Sequence, residues 1–359
     1  MRRLGLTVAR LDAIRRGSMG AFPASSGRLA ALADFGANPG ALNARVYLPA
    51  ELAPGAPLVV VLHGCTQNAT AYDQGSGWSK LAERHGFALL YPEQSRANNH
   101  NLCFNWYDSG DSRRGRGEAA SIAQMVRFLV AKHKLDADRV FISGLSAGGA
   151  MTAVMLATYP ELFAGGAIIA GLPFAVAEGV PEALERMRGQ GMPPRATLAR
   201  RVVAVSGHRG PWPTLSVWHG TADHVVNNRN AGAIIDQWCD RIGFGAVEGS
   251  HDRLDGHART LWRDAKGRAM IERIDIAGMG HGVPIAPRDG CGEAGPHMLD
   301  FGLCSSSHLV ATWGLVRKGD HAAKPARVEP ATAPSRPAPR ATGVTGVIED
   351  ALRAAGLMA

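Results

Sequence analysis

Three side chains suited to acyl-transfer chemistry occur in a definite order along the chain. Ser146 lies in Gly144-Leu145-Ser146-Ala147-Gly148, Asp223 in Thr221-Ala222-Asp223-His224, and His281 in Gly278-Met279-Gly280-His281-Gly282. A serine hydroxyl is a weak nucleophile until a base takes its proton, and the base works best when a carboxylate holds its tautomer. Ser146, His281 and Asp223 match nucleophile, base and acid in that order of roles. The glycines matter as much as the serine, because they let a strand and the next helix meet in a tight turn that exposes the hydroxyl. The N-terminus of that helix favours developing negative charge. A plain strand-to-helix turn would carry the same glycines for packing alone, so the aspartate and histidine downstream decide for chemistry.

His281 is one of thirteen histidines, and Asp240, Asp252, Asp255 and Asp264 are rivals of Asp223. Each rival acid falls in a helical pattern or an irregular polar stretch, where a solvated surface charge is the simpler reading. A second glycine-bearing turn, His63-Gly64-Cys65-Thr66-Gln67, follows the apolar run LVVVL at 58–62. Its backbone can aim an N–H at an oxyanion, the Cys65 amide first and Thr66 as the alternative, with the Ala147 amide as the second donor. His63 reads as a buttress of that loop. In NLCFNWYD, Trp106 and Tyr107 are expected to wall a substrate or simply to pack. The five cysteines include no C-x-x-C pair, which argues against a zinc ribbon or a thioredoxin-like site. Cys65 with Cys103, and Cys291 with Cys304, are candidate disulfides suited to an oxidising compartment, with connectivity left open. Cys239, in a helical pattern, reads as a small core residue.

These groups need a scaffold, and the pattern supplies one. The strand-like runs are ARVYLP, LVVVL, FALLYP, RVFISG, GGAIIAG, LSVWHG at 215–220 and AMIERIDIAG at 269–278. Most are separated by helical stretches such as 76–85 and EAASIAQMVRFLVAKH from 118. That alternation predicts an α/β fold with a mostly parallel central sheet flanked by helices. LVVVL, β-branched throughout its centre, predicts a strand buried on both faces. Residues 173–213 hold six prolines and break the rhythm, so a small cap or insertion is expected there.

The chain has 359 residues, 46% hydrophobic, 19% charged and 6% aromatic. It is long enough to bury a core unaided and too apolar to be wholly disordered. No run of about 18 apolar residues is present, and the opening MRRLGLTVARLDAIRRG lacks an apolar signal region. The net charge is +8, but residues 1–17 and 317–340 carry +4 each and 341–359 carry −1, leaving +1 for 18–316. A nucleic-acid face would need charge on the folded body, so no nucleic-acid partner is expected. The expected organisation is a basic helix and lead-in over 1–41, a catalytic domain over 42–316, a Pro/Ala-rich linker over 317–342 and a short helix over 343–359. The basic ends read as solvated tails or as elements that dock on an anionic surface or polymer granule.

Several motifs taken together resemble the polyhydroxybutyrate depolymerase family of esterases, relatives of feruloyl and acetylxylan esterases. They are LHGCTQNATAYDQGSGWSKLAERHGFALLYPEQ, CFNWY, RVFISGLSAGGAMTAVMLATYPELFAG, WHGTADHVV and GMGHGVP, within about 42–316. The resemblance implies an α/β-hydrolase fold with Ser146, Asp223 and His281 as triad. It implies a serine-esterase mechanism without cofactor or metal, acting on hydroxyalkanoate polyester or oligoesters. Feruloyl or acetylxylan ester hydrolysis is the nearest alternative, and a non-catalytic binding protein on a hydrolase scaffold a remote one. For the compartment, the cysteine pairs and the family lean outward and the missing signal region leans inward.

Overall fold

The computed structural model describes residues 27–317 of the chain. The expected basic helix at 1–17, the linker beyond Arg317 and the terminal helix lie outside the described residues.

The β-branched and leucine runs form strands because extended backbone spreads their branched side chains over a pleated surface. In chain order these are β1 (Ala30–Ala31), β2 (Asn43–Tyr47), β3 (Leu58–Leu62), β4 (Ala88–Glu93), β5 (Val140–Leu145), β6 (Gly165–Ile169), β7 (Thr214–Gly220), β8 (Ser250–Leu254), β9 (His257–Arg263) and β10 (Ala269–Ile276). They make one sheet in the order β1-β2-β4-β3-β5-β6-β7-β10-β9-β8. Strands β4, β3, β5, β6, β7 and β10 run parallel to one another, and the pairs β1–β2, β2–β4, β10–β9 and β9–β8 are antiparallel. The helices are α1 (Ala69–Ser76), α2 (Trp78–His85), α3 (Gly117–His133), α4 (Ala147–Thr158), α5 (Val180–Met187), α6 (Arg195–Val205), α7 (Arg229–Ile242) and α8 (Ser305–Thr312). A small parallel pair, β11 (Val283–Ile285) and β12 (Met298–Asp300), follows the His281 loop.

Strand β3 shows why both faces are covered. Its side chains alternate across the sheet, and all five are buried. Leu58, Val60 and Leu62 join Ile122 of α3 and Met151 of α4. Val59 and Val61 join Trp78 of α2 and Leu309 of α8 on the opposite face. Each such side chain contributes roughly 1.5–3 kcal/mol by leaving water, so the two helical layers are driven onto the sheet from both sides. This is the mostly parallel α/β architecture that the pattern predicts, and it accords with the α/β-hydrolase fold that the resemblance implies.

The expected cap over 173–213 contains α5 and α6. Leu198 and Val202 of α6 are buried, and the buried Gln237 of α7 clamps this region. Its amide accepts from Phe174 N (2.8 Å) and donates to Phe174 O (3.0 Å) and Leu198 O (3.1 Å). The end of α5 is fastened separately: Asn227 N donates to Met187 O (2.7 Å), and Asn230 Nδ2 to Arg186 O (2.9 Å).

One expectation needs correction. The polar stretch around Asp252 is not irregular but an antiparallel hairpin, β8–β9, with Asp252 opposite Arg259. Arg259 holds that carboxylate through two bonds of 2.6 and 2.7 Å; alternation of charged side chains on an edge hides the strand from an apolar-pattern reading. The helical stretch expected at 76–85 is α2, and Gly77 separates it from α1, which precedes it.

Candidate active site

The site lies at the C-terminal ends of β3, β5, β7 and β10, where a parallel sheet presents loops to one crevice. Ser146 is the residue between β5 and α4, with φ 56° and ψ −117°. Backbone held in such a region costs on the order of 1–3 kcal/mol. The surroundings hold it there: Ser146 N donates to Ile169 O (2.9 Å) and Ala150 N to Ser146 O (2.8 Å). The two flanking glycines are a steric requirement. A Cβ on Gly144 would run into the Gly148 carbonyl, and one on Gly148 into the carbonyls of Leu62 and His63. Any larger residue would push α4 off β3 and β5.

Asp223 sits in the turn after β7, and this turn is fastened to the His281 loop. Thr221 N donates to Ile276 O (3.0 Å) and Ala222 N to Met279 O (2.9 Å). Gly278 N donates to Thr221 Oγ1 (2.9 Å). A Cβ on Gly220 would meet the Met279 carbonyl, so glycine permits the close approach. The result is a 2.7 Å hydrogen bond between His281 Nδ1 and Asp223 Oδ2. The other carboxylate oxygen accepts from Val225 N and Val226 N, both at 2.9 Å. Burial pushes the Asp223 carboxyl up, but hydrogen bonds from His219 and His281 outweigh it and hold the group well below the usual carboxylate range. Asp223 is therefore an anion, His281 Nδ1 donates to it, and His281 Nε2 is left as an acceptor.

His219, at the end of β7, was not anticipated as part of this site. It is fully buried, with Nε2 3.4 Å from Asp223 Oδ2 and 2.8 Å from Val226 O. A carbonyl only accepts, so Nε2 carries the proton. The legible signal was its position four residues before Asp223 at a strand end, in WHGTAD.

The turn after β3 separates its two amide candidates. Thr66 N donates to Asn101 O (2.7 Å) and is spent. Among the described residues no group accepts from the Cys65 amide, and the Ala147 amide belongs to the first turn of α4, whose N–H groups lack intrahelical partners. His63 does buttress the loop: its Nδ1 donates to Gly64 O (2.8 Å) and its Nε2 accepts from Gln94 N (3.1 Å). Burial pushes its pKa down and keeps it neutral. Cys65 is bonded to Cys103, and Cys291 to Cys304, leaving Cys239 free and buried. The first disulfide ties the Cys65 turn to the loop that carries Trp106 and Tyr107.

Beneath that loop lies Glu118, a second unanticipated group. It is fully buried, accepts from Asn105 N (2.9 Å) and Gln94 Nε2, and is pushed up to about 8 by burial and by the charge of Asp111. Ser146, Cys65 and Met187 line two recesses in common. One is apolar and bounded by Trp106, Tyr107, Leu172, Leu184 and Val226. The other holds His281 with Gly64, Gln67, Val225 and His297. Asp240 lies instead against Arg195, and Asp264 accepts from Lys266 N and Arg268 N in a surface turn. Among the described residues no group of three or more His, Cys, Asp or Glu side chains could hold a metal ion.

Comparison with known proteins agrees with this geometry. The family model described as esterase PHB depolymerase matches residues 42–261. Poly(3-hydroxyalkanoate) depolymerase C of Paucimonas lemoignei is 42% identical over 294 residues, spanning 80% of this chain and 70% of that protein. Feruloyl esterase B of Talaromyces stipitatus is 32% identical over 265 residues, spanning 71% of this chain and 72% of that protein. The solved acetyl xylan esterase from Aspergillus awamori superposes with a TM-score of 0.69 at 25% identity, covering 81% of this chain and all of that one. With an esterase fold, an Asp–His pair in a recess that a half-buried serine also lines, and relatives of this kind, the chain belongs to the PHB depolymerase esterase family and is a carboxylic ester hydrolase.

Proposed function

We propose that this protein hydrolyses hydroxyalkanoate polyester or oligoesters through an acyl-enzyme on Ser146. His281 Nε2 takes the Ser146 proton as Oγ attacks the ester carbonyl, and Asp223 holds the imidazole in the tautomer that leaves Nε2 free. The Cys65 and Ala147 amides stabilise the oxyanion, each worth about 2.7–4 kcal/mol by the usual cost of losing such a donor. Collapse of the intermediate breaks the ester C–O bond, and the alcohol leaves with the proton held by His281. Water then attacks the acyl-serine with His281 again as base, returning the carboxylic acid and free Ser146. The observation that carries the chemistry is the 2.7 Å Asp223–His281 bond in the cleft that Ser146 lines.

For the substrate, the support is the 42% identity to a poly(3-hydroxyalkanoate) depolymerase against 32% to a feruloyl esterase. The acetyl xylan esterase likeness keeps carbohydrate ester hydrolysis as the second reading. Trp106 and Tyr107 contribute a wall of the substrate recess, and the basic ends add salt-screened attraction to an anionic or polymer-granule surface. A fluorophosphonate is expected to label Ser146 and abolish turnover; labelling elsewhere with activity retained removes the assignment. Turnover of amorphous polyhydroxybutyrate or its oligomers should exceed that of methyl ferulate and acetylated xylan, and the reverse ranking favours the second reading.

A further inference from the structure

We infer that the ester lies across Ser146 in one direction only: its acyl half against helix α5, its leaving alcohol against Gln67 and His297, with Gln67 donating to a carbonyl carried by that alcohol. The inference rests on the acyl-enzyme reading above and adds the two specificity determinants.

The direction follows from proton transfer. The leaving oxygen must receive its proton from His281, so the alcohol occupies the recess that His281 lines, with Gln67, Val225 and His297. The acyl group is left with the other recess, which no charged side chain and no histidine lines. That recess encloses about 50 Å³, room for only a few methylene-sized groups. Its outer wall is a helix face. Val180, Ala183, Leu184 and Met187 all line it, at the i, i+3, i+4, i+7 spacing that puts side chains on one side of a helix. Met187 lines both recesses and so divides them. Its carbonyl is held by Asn227 N (2.7 Å), four residues beyond Asp223, which sets the divider against the acid turn.

The alcohol side has a defined polarity. Gln67 Oε1 accepts from Gly64 N (2.9 Å), so the amide is oriented and its NH₂ end remains as a donor. His297 Nδ1 donates to His281 O (3.2 Å), leaving Nε2 as an acceptor. No lysine or arginine lines this recess, and burial pushes the His297 pKa down, so neither a fixed cation nor His297 stands ready here for a free carboxylate. A donor without a cation fits a neutral carbonyl. In a hydroxyacyl polyester the leaving alcohol carries one, the carbonyl of its own ester to the next repeat.

Two variants and two substrate series test this. Leu184→Ala deepens the acyl recess; Gln67→Glu keeps the acceptor for Gly64 N but removes the donor. The acyl series is p-nitrophenyl acetate to octanoate. The alcohol series compares the acetate of methyl 3-hydroxybutyrate with hexan-2-yl acetate, which has the same length but no carbonyl. Leu184→Ala is expected to raise the octanoate-to-acetate ratio of kcat/KM about tenfold and leave the alcohol ratio unchanged. Gln67→Glu is expected to lower the ratio of the carbonyl-bearing to the plain alcohol about tenfold and leave the acyl ratio unchanged. Ratios within one preparation do not depend on the folded fraction, and Leu184→Val serves as a milder change. The inference is overturned if Leu184→Ala moves the alcohol ratio instead, or if Gln67→Glu leaves the alcohol ratio where it was. Fluorophosphonate labelling of Ser146 in the same samples separates the two levels: labelled Ser146 with unmoved ratios defeats this inference alone, unlabelled Ser146 defeats the acyl-enzyme reading.

Discussion

At the residue scale the acid of the site is over-determined. Asp223 accepts from two backbone amides and from His281, with His219 beside it. Replacing the carboxylate with an amide keeps the shape and reverses the donor pattern at His281 Nδ1. Asp223→Asn is therefore expected to fold and to lose about 10⁴ in kcat; circular dichroism and steady-state ester hydrolysis check the two halves. Glu118 gives a prediction of different sign. Its carboxyl sits near 8 in the fold against an ordinary 4.5. The unfolded chain releases this proton first, so the stability linked to Glu118 is full below about 4.5 and falls as pH rises toward about 8. Glu118→Gln should flatten that decline in a series of thermal melts across the window, and an unchanged slope would assign it to another group.

Elements, more than single contacts, position the machinery. Ser146 is presented by the junction of β5 and α4, His281 and Asp223 by two loops stitched together through Thr221 and Ala222. The cap is attached through a few polar pins, of which Gln237 is fully buried. Gln237→Leu leaves the Phe174 amide and the Phe174 and Leu198 carbonyls without that partner. Unsatisfied buried groups cost about 1–3 kcal/mol each, so a loss of at least about 2 kcal/mol is expected in urea unfolding. KM should rise more than kcat falls, because α5 walls the recess while Ser146, Asp223 and His281 lie outside the cap.

For the whole molecule, two checks follow from composition and connectivity. With both disulfides formed, the unreduced, unfolded chain should show one reactive thiol, Cys239. In the folded protein that thiol should resist alkylation, since burial pushes it up to about 12 and the thiolate is the reactive form. Finding five thiols would remove both bridges. Residues 1–26 and 318–359 carry +6 of the net +8 and none of the site residues. Their removal should change kcat/KM on a soluble p-nitrophenyl ester by no more than about twofold, while salt-sensitive sedimentation with granules weakens. Much of this protein was legible in one dimension. Local rules singled out Ser146, Asp223 and His281 as candidates, because elbow glycines and strand-end loops are short-range features of the chain. The same rules foretold the buried strand at 58–62 and the cap at 173–213. Other features arise between segments far apart in sequence. Thr66 drops out as an oxyanion donor because Asn101 O reaches its amide. The β8–β9 hairpin is set by pairing across a charged edge. Glu118, an ordinary first-turn acid by sequence, is pushed up by burial beneath a loop that a disulfide ties to the Cys65 turn. Burial, register and amide occupancy are properties of what the fold brings alongside a residue, and only the tertiary structure decides them.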